Sequence, residues 1–101
     1  MAIFPARIDT SGKVITSDRK INLSKRNQDE VQWTSQGSSG PWTVVFTSGS
    51  PFAPTTTYTV PQTGNVRSGQ ATADSGPTQY KYEVHDSKGT VTDDPDVIVD
   101  P

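Results

Sequence analysis

Chemistry in this chain would have to start from its single imidazole, His85, and from the carboxylates near it in sequence. His85 and Asp86 form one His-carboxylate pair, and any of many serines would be needed to turn them into a hydrolytic triad. Strand alternation argues against that use. His85 lies in a run where Tyr80, Tyr82 and Val84 alternate with Lys81, Glu83 and His85, which sends it to the face opposite the apolar residues and separates it from its sequence neighbour. The second candidate is Asp93, Asp94 and Asp96 around Pro95, oxygen donors of the kind a calcium ion takes. Their spacing matches no helix-flanked calcium loop, and an acidic turn also solubilises the strand that follows it. The chain has no cysteine, so thiolate catalysis, thiolate metal sites and disulfides are excluded. It shows no nucleophile elbow, phosphate loop or paired metal-binding histidines.

The elements that must position these residues read as strands. Leu occurs once, at Leu23, while Thr, Ser and Val are plentiful, a balance that favours sheet over helix. Apolar residues make up 30% of the chain and charged residues 20%, with eight Gly and eight Pro, so the core is expected to be small and weighted towards aromatic rings. Val31 to Phe46 (VQWTSQGSSGPWTVVF) is the central stretch. Val31, Trp33 and Ser35 share one face, as do Trp42, Val44 and Phe46, across the polar loop Gln36 to Pro41. Ahead of it lie an edge strand over Ala2 to Ile8, interrupted by Pro5, and short strands at Lys13 to Thr16 and Lys20 to Leu23.

Lys25 to Glu30 reads as a solvated charged loop. Behind the central stretch, Phe52 sits between Pro51 and Pro54 as a plug, and Thr55, Thr57 and Thr59 line one face of a Thr-rich strand. Such an array is ice-binding in principle and an ordinary solvent face by the simpler reading. Turns at Thr63-Gly64-Asn65, Asp74 to Pro77 and Ser87-Lys88-Gly89 separate short strands at Val66 to Ala73, Tyr80 to Val84 and Val97 to Val99. The whole predicts a single domain over residues 1–101, an all-β Greek-key sandwich of about seven or eight strands.

The order of features from Lys20 to Val99 resembles the cupredoxin family, the Greek-key sandwiches that include the blue-copper proteins. The family's G-D-x-V-x-W/F-x-N element, followed by H-x-V-x-F, is similar to Asp29-Glu30-Val31-Gln32-Trp33-Thr34-Ser35 and then Trp42-Thr43-Val44-Val45-Phe46. Its closing Y-x-Y-x-C with a ligand loop and last strand is similar to Tyr80-Lys81-Tyr82-Glu83-Val84 followed by Asp96 to Val99. The resemblance implies a cupredoxin-like domain in which Trp42 stands where the first copper histidine would be and Val84 where the cysteine would be. A blue-copper site needs two imidazoles and a thiolate. With one His and no Cys, copper is not an expected cofactor, and the resemblance implies a former copper pole filled by apolar side chains, with Trp42 and Val84 as neighbours.

Charge narrows the partners. Residues 1–50 carry six Lys/Arg against four Asp/Glu, and residues 51–101 carry three against seven. Nucleic acid is not expected, because phosphate binding needs a basic surface. No apolar run is long enough to span a membrane, and MAIFPARIDT lacks a signal-peptide pattern, so the chain reads as soluble with its compartment unspecified. Asn22-Leu23-Ser24 fits a glycosylation acceptor triplet that is common by chance. The resulting expectation is a non-catalytic protein-interaction or assembly module without cofactor, acting through an edge strand or polar loops, including a surface of Tyr58, Phe52 and the Gln36 to Pro41 loop, and open to self-association. The alternatives are a hydrolytic or metal-dependent enzyme centred on His85 and the C-terminal aspartates, and an immunoglobulin-like adhesion module.

Overall fold

A computed structural model describes residues 2–37, 40–47, 49–72 and 78–100. The strands are β1 (Ile3–Ile8), β2 (Lys20–Ser24), β3 (Glu30–Ser35), β4 (Trp42–Phe46), β5 (Thr57–Val60), β6 (Asn65–Arg67), β7 (Thr78–His85), β8 (Val91–Asp93) and β9 (Asp96–Asp100). They form two packed sheets, one ordered β1-β3-β6 and the other β2-β9-β7-β4-β5 with β8 paired to β7. The architecture is an all-β sandwich of nine strands among the described residues, rather than seven or eight. The strand that was not expected, β8, is only three residues long and its sequence VTD carries no alternation that would mark it.

Two pairings are parallel, β1 with β3 and β2 with β9, and the rest are antiparallel. The interior alternates as the period-two pattern predicts: Val31, Trp33 and Ser35 are buried on β3, and Trp42, Val44 and Phe46 on β4. Trp33 lies at the centre of an aromatic cluster, with ring centroids 6.2 Å from Phe46, 6.3 Å from Phe52, 4.9 Å from Tyr58 and 5.7 Å from Tyr82. Edge-to-face contacts dominate, the arrangement that the ring quadrupole favours. Phe52 reaches this cluster from the loop between β4 and β5 and is buried, as a plug would be.

Several local expectations change. Lys13 to Thr16 is not a strand: Val14 makes a lone bridge to Ile8, and a 3₁₀ turn follows at Thr16–Asp18. Side chains take over there, since the Val14 N–H donates to Asp93 Oδ2 (2.9 Å) and Asp18 Oδ2 accepts from the Arg7 N–H (2.9 Å). Thr55 lies outside β5, its N–H donating to Phe52 O in a turn, so only Thr57 and Thr59 share the exposed face. Val66 to Ala73 holds a strand only over Asn65–Arg67. The turn expected at Asp74 to Pro77 lies outside the described residues, as do Ala73 and, in the Gln36 to Pro41 loop, Ser38 and Ser39.

Candidate functional site

The pole of the sandwich that holds Trp42 was built from β4, β7 and the loop before Val14. Val44 pairs with Val84 across β4 and β7, and Trp42 lies two residues before Val44 on the same buried face. Trp42 is 7% exposed and Val84 fully buried. Gly12 has a φ of +84° and lies so close that a Cβ there would fall 2.8 Å from Trp42 Cζ3 and 2.6 Å from Thr92 Oγ1. Only glycine fits such a backbone at this approach. Thr92 closes the same point, its hydroxyl 2.7 Å from Gly12 O and 3.1 Å from Val84 O. On the other flank, a Cβ at Gly40 would lie 3.3 Å from Trp42 Cδ1. The groups here are an indole, a valine side chain and one hydroxyl already engaged with carbonyls, none of them the imidazole or thiolate of a blue-copper site.

His85 does not pair with Asp86. Its Nε2 lies 2.8 Å from Glu83 Oε1, because residues two apart on a strand share a face. Asp86 Oδ1 instead accepts from the N–H groups of Lys88 and Thr90, both at 2.9 Å, and holds the turn into β8. His85 is a partly buried side chain on the outward face of the larger sheet, with Thr43 opposite it on β4.

The three aspartates are divided among structural partners. Asp93 has a side chain only 7% exposed, accepts from the N–H groups of Val14 and Asp94, and receives the Arg19 guanidinium on both oxygens. Burial pushes its carboxyl up, but the hydrogen bonds from Arg19, Val14 and Asp94 outweigh burial and hold it below the usual carboxylate range. Asp94 is exposed, 3.8 Å from Lys81 Nζ, and Asp96 Oδ1 is 3.6 Å from the same Nζ. Among the described residues no group of three His, Asp or Glu side chains converges as a metal site.

Two carboxylates with larger structural roles carry no motif. Asp18 is buried and takes the Arg7 guanidinium at 2.9 and 3.1 Å as well as the Arg7 N–H. Asp29, expected in a solvated loop, is buried and accepts from Ala2 N (3.0 Å), Ser24 N (2.9 Å) and Asn27 Nδ2 (2.7 Å). In both, burial raises the carboxyl and these hydrogen bonds more than reverse it, leaving it below the usual range. A signal for Asp29 existed in its place directly before the apolar alternation of β3. Its partner Ala2 is 27 residues away and could not be read from sequence.

The surface also has a depression of about 320 Å³ between β1 and β2, lined by Phe4, Pro5, Ser17, Asp18, Lys20, Ile21 and Asn22. Asn22, the glycosylation triplet's first residue, is exposed on its rim. Among the described residues, no helix is long and apolar enough to cross a membrane. Compared with known proteins, the chain matches no family model, no curated protein and no solved structure.

Proposed function

We propose that this chain is a copper-free, cupredoxin-like sandwich that serves as a protein-interaction or assembly module and not as an enzyme. The observation that carries this reading is the packed pole at Trp42, where the indole is wedged against Gly12 and Thr92 and Val84 is fully buried. A pole filled this way contributes core rather than a ligand site, since a buried aromatic covers about 150–250 Å². The strand order supports the Greek-key aspect: β7 returns from beyond β6 in the other sheet to lie between β4 and β9. The distribution of Asp93, Asp94 and Asp96 over Arg19 and Lys81 supports a structural use of the acidic cluster.

The test is light scattering after size exclusion across a wide concentration range, on the wild type and on His85→Ala. Assembly that persists unchanged in His85→Ala supports the module. A hydrolytic turnover present in the wild type and lost in His85→Ala would refute it in favour of the enzyme.

A further inference from the structure

The outer strands of the sandwich are finished in different ways. On β1, Ala2 O accepts from Glu30 N and Ile8 O from Gln36 N, so the even-numbered residues face β3 and Ile3, Pro5 and Arg7 face outwards. Pro5 has no N–H to offer, and both backbone groups of Arg7 are taken, its N–H by Asp18 Oδ2 and its carbonyl by Ile15 N. β1 is therefore guarded at Pro5 and Arg7. β5 and β6 border one another, laced by the Tyr58 hydroxyl donating to Ser68 O at 2.7 Å.

β2 is different. Asp96 N donates to Arg19 O, so the odd-numbered residues of β2 face β9 and Lys20, Asn22 and Ser24 face outwards. Ser24 is sealed by Asp29, which receives its N–H on Oδ2 and donates its own N–H to Ser24 O. For Lys20 and Asn22, no described residue meets the outward N–H and C=O groups. This window of unpaired backbone opens directly into the 320 Å³ depression, with Phe4, Pro5 and Ile21 as its apolar lining and the 3₁₀ turn at Ser17 and Asp18 closing one end.

We infer that the open edge of β2 at Lys20 to Asn22 captures a short extended peptide from a partner protein, which adds as a strand beside β2 and lowers one apolar side chain into the depression between β1 and β2. The inference rests on the module reading and specifies its contact. The occupant's chemistry follows from the complementary groups. Two outward N–H and two outward C=O groups demand a backbone in extended form, since strand addition is read by main-chain hydrogen bonds with side chains alternating in and out. The residue opposite Ile21 on such a strand faces Phe4 and Pro5 and must be apolar. Its neighbour beside the exposed Lys20 is favoured as Asp or Glu, across a solvated pair of modest worth. The seal at Ser24 limits the paired segment to about three residues, so the ligand is a short linear stretch and not a domain edge.

A random nine-residue peptide library displayed on phage is selected on the immobilised full chain, and an enriched peptide is titrated by calorimetry against three proteins. Asn22→Pro removes the outward N–H while leaving the β9 pairing of β2 intact, as proline is tolerated on edge strands. Binding to Asn22→Pro is expected to weaken at least about tenfold, a loss of about 1.4 kcal/mol. Asn22→Ala keeps the backbone and is expected to bind within about twofold of the wild type. Should Asn22→Pro fold poorly by circular dichroism, amide exchange in the wild type decides instead: the peptide must slow exchange at Lys20 and Asn22. Peptides that enrich but bind Asn22→Pro equally, or protect other amides, overturn the β2 site and leave the module reading standing. No enrichment at all overturns the peptide-capture inference, whereas only an activity dependent on His85 overturns the module reading.

Discussion

Replacing Asp93 by Ala should be among the most damaging single changes outside the aromatic cluster. Its side chain is 7% exposed and joins three segments: Val14 after the first turn, Arg19 ahead of β2, and the β8 end itself. Truncation leaves the Val14 N–H buried without an acceptor, a cost of about 1–3 kcal/mol. It also removes the charge-assisted contact with Arg19, but Arg19 is 40% exposed and water replaces much of that interaction, so about 1 kcal/mol is assigned to it. The sum is roughly 3 kcal/mol, which for a domain of this size lowers Tm by about 12–24 °C. Urea unfolding followed by tryptophan fluorescence measures it, and Asp93→Asn, which keeps an acceptor for Val14, should lose roughly half as much. The pH dependence provides a second reading. Because the folded carboxyl is held below its unfolded value of about 3.9, its contribution is complete above that value and is lost as pH falls through the folded one. The acid limb of the stability curve should therefore be shallower in Asp93→Ala than in the wild type. A loss under about 0.5 kcal/mol, or an acid limb that is unchanged, would refute the reasoning.

Alkali should act through the buried phenols. Burial pushes Tyr58 up to about 12 and Tyr82 up as well. A phenol raised above its unfolded value of about 10 contributes stability that is complete below pH 10 and falls by about 1.4 kcal/mol per pH unit above it. Tyr58→Phe should flatten that limb, measured by urea midpoints from pH 9 to 12, while costing about 1 kcal/mol at neutral pH for the lost bond to Ser68 O. Gly12→Ala combines a positive φ with a clash against Trp42 and Thr92 and should destabilise by about 2–3 kcal/mol, read from the same denaturation curves. A neutral Gly12→Ala would mean that the Trp42 pole is loosely packed.

The strands with strict alternation were legible because burial on one face leaves a period-two record. Trp33, Trp42, Tyr82 and Val84 fall inside as that record requires, and so does the Phe52 plug, bracketed by prolines that a strand interior would not hold. What escaped were relations across the sheets. Nothing local tells Ile3–Ile8 to pair in parallel with Glu30–Ser35, or Lys20–Ser24 with Asp96–Asp100. The buried carboxylates escaped for the same reason: Asp18, Asp29 and Asp93 carry the composition of loops, and only their distant donors, Arg7, Ala2 and Val14, make them interior. His85 was a subtler case, since the alternation that removed it from Asp86 also pointed to Glu83, its actual partner.

The seal on β1 carries a consequence for how this protein fails. Proline is a permanent guard at Pro5, but the guard at Arg7 is a carboxylate, Asp18, and so it can be titrated away. In acid, protonation of Asp18 weakens its hold on the edge amide and the guanidinium of Arg7. Acid should thus reopen an edge donor of β1 to another chain, a failure shared between molecules rather than confined to one.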